Sequence, residues 1–588
     1  MLLILSFLLH VALSNSMAFA QSTAPQDNST FDGPAELPRV HVKTSLRDTP
    51  APGKVVHVHA GEDASQALAR ASCGETVELE AGATFRSLLL PKKMCDDSHW
   101  IIVRTSAPDS KLPPEGTRLT PCYAGIASLA GRPAFSCDPA QNVLSKIEFS
   151  SSSGSGPVTI APGANHYRLI GLEVTRAESP GTIYNLIGPG DGPADHLVFD
   201  RMWIHGTPHS ETVRGLMLSH LQYVGVVDSY FSDFHCVAKS GACTDSQAIA
   251  GGMGDDAMGP YKIENNFLEA AAECILFGGG GATATPADIE IRHNHLFKPL
   301  LWMRGVQGFL GGADGNAFIV KNLFELKNAE RVLVEGNIME NTWGGFSQVG
   351  FAILLTPKNP GMCPACKVRD VTIRYDRIAH CGAAMSIANG ISDNGVAAQE
   401  GGQYSIHDIV FDDMKYEECQ GCNGDMFQIT TSVRSPPSLL LHAVSIRHVT
   451  IATNRARAGW IIAGPIGQKD MTFQDNIVDA GTMGYANAGG GEAQCYSHQP
   501  VMKGVLDRCW SSYHFDHNVV MNAKPAHSWP SGNWPIAGGE QVGFADWRGG
   551  VAGDYHLRAQ SKFKRKASDG KDPGADIDQV SSLTRGVR

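Results

Sequence analysis

The chain has 588 residues, 43% of them hydrophobic and 18% charged, which describes a soluble globular protein with ample material for a core. Its formal net charge of −11 argues against nucleic acid or an anionic membrane surface as partner, but not against an acidic polysaccharide held in a local basic cleft. The 64 glycines predict frequent turns.

In chain order, "MLLILSFLLHVALSNSMAFA" is an apolar run ending in Ala18-Phe19-Ala20, the small-x-small pattern of a signal-peptidase site, although its start carries no Lys or Arg. No later stretch approaches the length of a membrane span. A signal peptide over 1–20 and a secreted or periplasmic location are therefore expected. Residues 21–52, rich in Pro, Ser, Thr and Asp, read as a disordered leader. At "GEDASQALARASCGETVELEAG" the texture changes. Asp63 and Gln66 resemble a capping box, Ala64, Ala67, Leu68 and Ala71 share one helical face, and the alternating "TVELEAG" predicts a strand.

From there the chain repeats itself. "IENNFL", "IRHNHL", "VEGNIM", "FQDNIV" and "FDHNVV" place an asparagine at Asn266, Asn294, Asn337, Asn476 and Asn518, with Asp376 at the same place in "IRYDRI". The segments alternate as short β-branched and aromatic strands, not with a helical period. Asparagine tolerates the left-handed conformation and bonds its own turn, so a tight bend is expected at each. Stacked coil upon coil, such units pair in parallel with inward apolar ladders. The fold expected from the repeat is all-β, a parallel β-helix over 53–545.

Fourteen cysteines fit an oxidising compartment. Cys73 with Cys95, Cys122 with Cys137, Cys236 with Cys243 and Cys495 with Cys509 read as local staples. The two CxxC pairs, Cys363/Cys366 and Cys419/Cys422, lie too far apart for a zinc ribbon and are also expected as disulfides. Cys274 and Cys381 are left as buried thiols or a long-range pair.

The N-terminal helix, the "ETVELEAGATF" strand, the Asn-cornered repeats and the closing "DYHLRAQSKF" resemble the right-handed parallel β-helix proteins of the pectate-lyase-like superfamily. The resemblance implies a right-handed parallel β-helix with a short N-terminal capping helix and a C-terminal closing tail over 546–588. A narrower likeness, to the alginate lyase and chondroitinase B family, rests on "NLFELKN". Asn322, Glu325 and Lys327 are similar to that family's calcium-ligand and base coil. Where the family has an arginine one coil later, this chain offers Lys358, and the second acidic ligand has no match. The resemblance implies eliminative cleavage of a uronate-containing glycan. Lys327 would be the base, Lys358 the carboxylate neutraliser and Glu325 a cation ligand or orienter, with calcium as cofactor. Glu273 and Trp343, with Asn322, are taken as substrate-binding candidates. Elsewhere, Asp245, Asp255 and Asp256 could serve a glycoside hydrolase or simply mark a turn. His220, His235, His293, His295 and His380 show no ligand spacing. A non-catalytic glycan-binding or cell-surface solenoid is the competing reading of the whole chain.

Overall fold

The computed structural model describes residues 30–588, except 138, 238–242, 346–347, 358–362, 390–397, 432–438, 465–466, 488–494, 496–500 and 526–527. The expected signal peptide and Lys358 lie outside the described residues.

Each coil of the repeat lays down one strand in each of three parallel sheets. The coil at Asn266, for example, contributes Tyr261–Glu264, Phe267–Glu269 and Glu273–Phe277. Among the described residues the first sheet has 14 strands, the second 14 and the third 12. Register is kept from coil to coil, so that Ile263, Ile291, Val334 and Ile373 stack as one interior ladder of the first sheet. One continuous buried apolar core fills the space between the sheets. This is a parallel β-helix, and β-branched inward residues suit it because every strand buries its inner side against two neighbours.

The asparagines form the expected ladder by a different device. The left-handed residue is the one before each, as at Asn265, His293, Asp475 and His517. The ladder asparagine instead uses its side chain. Asn266 Nδ2 donates to Asn294 Oδ1 at 3.0 Å and to the Val226 carbonyl at 2.9 Å, and Asn294 repeats both bonds to Asn337 and Ile263. A buried amide has one acceptor and two N–H donors, so it can bond along the stack and to a backbone carbonyl together. The repeat spacing varies, 28 residues from Asn266 to Asn294 but 43 from Asn294 to Asn337, because an insertion over 299–321 leaves the latter coil.

Helix Ala64–Arg70 is capped by Asp63, whose side chain accepts from the Gln66 N–H at 3.1 Å, and its buried Ala64 and Leu68 seal the N-terminal end of the core. A second helix, Met502–Cys509, puts Met502, Val505 and Leu506 into the other end. Six disulfides are formed, all four local staples and both CxxC pairs. Cys274 and Cys381 are free and buried.

Residues 30–52, expected to belong to a disordered leader, are instead laid along the outside of the first sheet. Strand Ala35–Glu36 pairs with Phe31–Asp32. Asp32 meets Arg374 and His407, the Glu36 N–H donates to Asp370, the Arg39 N–H to Asp288, and Arg168 donates to the Thr44 carbonyl. Composition misleads here because the segment borrows its partners from distant coils. The tail folds Phe544–Asp546 against Asp554–Leu557 and buries Tyr555, Leu557 and Phe563 on the outer side of the second sheet. It then runs back along the solenoid, where Ser568 meets Asp475, Asp576 meets Asp408 and the Val587 carbonyl meets Arg118.

Candidate functional site

On the third sheet, Asn185, Arg214, Gln247 and Glu273 are register partners in four successive coils and form a polar column. One coil on, Phe324 and Leu326 enter the core, which turns Glu325 to the outer side. The sequence around this strand supplies charge at both ends. Lys321 Nζ lies 3.1 Å from Asp245 Oδ2 and 3.8 Å from Glu273 Oε1, and Lys327 Nζ lies 3.2 Å from Glu325 Oε1. Gln247 Nε2 donates to Glu273 Oε2 at 2.9 Å, and Asn322 Nδ2 to Glu325 Oε2 at 2.7 Å. Asp245, Glu273, Glu325, Arg214, Lys321 and Lys327 therefore gather three carboxylates and three cations on one face.

The cluster is buried without being saturated. Glu273 and Asn322 are fully buried, while Lys327 keeps 20% and Asp245 30% of its side chain exposed. Asp245 Oδ1, Gln247 Oε1, Glu273 Oε1, Asn322 Oδ1 and Arg214 Nε are buried atoms with no hydrogen-bond partner. Native proteins rarely leave so many such atoms together except where a ligand or water completes them. Burial, reinforced by the neighbouring Glu273, pushes the Asp245 carboxyl up to about 7. Burial favours the neutral form of both lysines, but the carboxylates outweigh it. Glu273 and Asp245 hold Lys321 well above the ordinary lysine value, and Glu325 raises Lys327. Lys327 is thus held in its charged form, and Asp245 is the carboxyl of the cluster raised toward neutrality. Arg214 is lowered by burial, with Asp245 and Glu273 opposing.

Support comes from below and beside. Lys298 is fully buried and donates to the carbonyls of Ala270, Ala272 and Asn322 at 2.9, 2.7 and 2.8 Å, which fixes the approach to the Asn322 strand. The insertion over 299–321 is anchored by Trp302, Phe318 and Val320, and Trp343 joins that apolar cluster with only 5% of its surface exposed. Trp343 therefore stands beside the polar column as an anchor of the insertion, lining with Phe318 and Gly344 a cavity of about 320 Å³.

The structure brings Asn322, Glu325, Lys327 and Glu273 together. Asp255 and Asp256 lie beyond strand Gln247–Gly251 from Asp245, roughly 17 Å of extended chain. Asp256 pairs with His220 at 2.7 Å and Asp255 accepts from Thr283, so the three aspartates form no acid–base pair. Glu269, fully buried, is bound by Arg132 through two bonds of 2.7 Å. His235, His293, His295 and His380 are held separately by the Thr207 carbonyl, the Arg585 carbonyl, Glu340 and Asp413. Calcium, implied by the family resemblance, does not fit the column, because the ammonium groups of Lys321 and Lys327 already stand against the carboxylates that would ligate it.

Arg214, Lys321 and Lys298 escaped the sequence reading, and Asp245 entered it only with Asp255 and Asp256, as a hydrolase cluster or a turn. A signal was present for two of them. Lys321-Asn322 and Lys327-Asn328 bracket one strand, and Lys298 is a lone charge inside "HLFKPL".

No protein-family model matches the chain, and no curated protein sequence matches it. Among solved structures, the chain is similar to an alginate lyase from Paenibacillus sp., at 12% identity and a TM-score of 0.32, over 66% of this chain and 98% of that one. It is similar to the pectate lyase Pel9A at 12% identity and a TM-score of 0.32, over 90% and 97%. A PL6 family polysaccharide lyase from Pseudopedobacter saltans aligns at 10% identity and a TM-score of 0.38, over 82% and 97%. Likeness at this level assigns no residue and no substrate.

Proposed function

We propose that this protein is exported and acts on a uronate-containing polysaccharide, cleaving it by elimination at the third-sheet cluster. The observation that carries this is the Asp245 carboxyl, poised at about 7 against the Lys321 ammonium and beside a set of unpartnered buried polar atoms. Elimination beside a carboxylate needs that charge neutralised, a base for the adjacent C5 proton and a proton for the departing oxygen. Arg214, with its free Nε–H, and Lys321 would hold the uronate carboxylate, the role that sequence alone suggested for Lys358. Ionised Asp245 takes the C5 proton, the C4–O bond breaks as the C4=C5 double bond forms, and protonated Lys327 delivers a proton to the leaving oxygen. Lys327 thus moves from base to acid, because Glu325 keeps it charged. Gln247, Glu273 and Asn322 orient the sugar.

The test is incubation with a panel of uronate polymers while following absorbance of new unsaturated ends. Activity is expected to survive EDTA and to fall about 100-fold or more in Asp245→Asn and Arg214→Ala. Absence of unsaturated ends on every acidic glycan would refute elimination, and binding without turnover would favour a glycan-binding solenoid.

A further inference from the structure

A second cluster of chemistry-bearing side chains stands on the first sheet, near its N-terminal end and apart from the polar column. His166, His196 and Tyr223 occupy one register position in three successive coils. Their rings stack at 4.4 and 4.5 Å, within 4° and 7° of parallel. All three residues are left-handed, as are Asp288, Arg331 and Asp370 at the same position further along, so the backbone bulge belongs to the scaffold. The scaffold does not account for the polar partners of the two imidazoles.

Asp195 Oδ1 lies 2.5 Å from His196 Nδ1. That carboxylate fixes the tautomer with the proton on Nδ1 and leaves the Nε2 lone pair free, the arrangement that prepares an imidazole for a metal. Asp97 Oδ1 lies 3.2 Å from His166 Nε2, while His166 Nδ1 is buried with no partner. One ligand atom each from Asp97, His166 and His196 falls within 4.8 Å of the others. Trp100 packs in T-shaped geometry against both imidazoles, at 5.0 and 6.3 Å. The loop bearing Asp97 is tethered two residues earlier by the Cys73–Cys95 disulfide, and the Cys95 N–H donates to Asn165 Oδ1 at 3.2 Å. The position of Asp97 is thus set by the fold although its side chain is exposed.

We propose that Asp97, His166 and His196 form a site for a divalent transition metal, zinc by preference, with Asp195 as a positioning residue acting through His196. Two neutral imidazoles and one carboxylate suit zinc and its neighbours, whereas calcium and magnesium prefer oxygen donors throughout. The spacing also says what closure requires. A tetrahedral zinc site has nitrogen–nitrogen edges of about 3.4 Å, so the half-exposed His196 and the mobile carboxylate of Asp97 turn inward on binding. With three protein ligands the ion keeps a fourth position for water. Its effect would be to clasp the disulfide-tethered loop to two coils and so to stabilise the N-terminal end of the solenoid.

The site is tested with zinc chloride on the full chain by titration calorimetry, and with cobalt(II) chloride by visible absorption. One equivalent of zinc is expected to bind, cobalt to give the strong visible bands of four-coordination, and calcium to give no heat. His196→Gln, which leaves buried His166 in place and keeps a planar side chain against Tyr223, should remove the stoichiometric equivalent. Asp195→Asn should weaken it about tenfold with the apo protein's melting temperature unchanged, a separation that a merely structural Asp195 would not produce. The chain has 22 histidines, so residual weak binding in these variants is adventitious and does not bear on the stoichiometric step. No zinc binding, or one equivalent retained in His196→Gln, would overturn the proposal. Neither result touches the elimination reading, which rests on different residues.

Discussion

Burial and a like charge each raise a carboxyl toward neutrality, and Asp245 has both, with Glu273 reached through the shared Lys321 ammonium. If Asp245 is the base, kcat/KM on a uronate polymer should rise tenfold per pH unit below about 7 and level above it. A profile flat between pH 5 and 8 would remove Asp245 from that role. Lys298 makes a separate statement at the same scale. Burial pushes its ammonium down from the ordinary lysine value, yet three carbonyls surround it. Replacing it by methionine strands all three acceptors, including the Asn322 carbonyl below the site. Lys298→Met should cost roughly 3 kcal/mol in urea unfolding, and it should lower activity by displacing Asn322. Unchanged stability would mean that water replaces the ammonium.

At the scale of the repeated element, the first run of the amide ladder ends in a carboxyl. Asp376 stands between Asn337 and the apolar Ile409 of the next coil, accepts both the backbone and side-chain N–H of Asn337 on Oδ1, and leaves Oδ2 buried without a partner. Burial pushes its carboxyl from 3.8 up to about 8, over the opposing hydrogen bonds from Asn337. The folded state therefore holds a proton that the unfolded chain releases, so this group's contribution to stability falls as pH rises from about 4 to about 8. In Asp376→Asn an amide N–H can reach the Val334 carbonyl, as Asn337 reaches that of Ile291. The variant should be more stable by on the order of 1 kcal/mol at pH 8, with the gain shrinking towards pH 4. Melting temperatures measured across that range check it; a gain independent of pH would contradict the buried-proton account.

For the whole molecule, the N-terminal segment acts as a strap. From the coil of Arg168 to that of His407 is seven steps along the first sheet, roughly 34 Å at about 4.8 Å each. Twelve residues from Asp32 to Thr44 can span at most about 43 Å, so the segment covers this distance even though its start turns back on itself where Asp32 pairs with Ala35. Its far end is an ionic lock. Burial raises Asp32, but the hydrogen bond and charge of His407, with Arg374, prevail and hold it at about 2. Burial lowers His407, but Asp32 and Asp408 raise it to about 9. The His407 contribution is complete below about 6.5 and is lost as pH rises through about 9, whereas that of Asp32 is complete above about 4 and is lost as pH falls through about 2. Proteinase K should cut within 30–45 more readily at pH 9.5 than at pH 6.5, and Asp32→Asn should abolish most of that difference. Equal protection at both values would place the strap's anchorage elsewhere.

What the sequence by itself determined is the scaffold. The stacked Asn266, Asn294 and Asn337, the Asp63 cap and the six cysteine pairs are local or strictly repeated, and a repeat writes the same physical requirement into every coil. The site was legible where its residues crowd into one short stretch, as Asn322, Glu325 and Lys327 do around strand Phe324–Leu326, and at Glu273 one coil before. Arg214 and Asp245 lie about a hundred residues from Lys327 along the chain, and the ladder register that sets Arg214 two coils below Glu273 is a property of stacking, not of spacing. The charge environment of Lys327 was decided there too. Its own sequence suggested a base; the carboxylates that tertiary structure gathers around it favour its charged form, and burial beside Glu273 raises the Asp245 carboxyl, to which the proposed proton-abstracting role therefore falls.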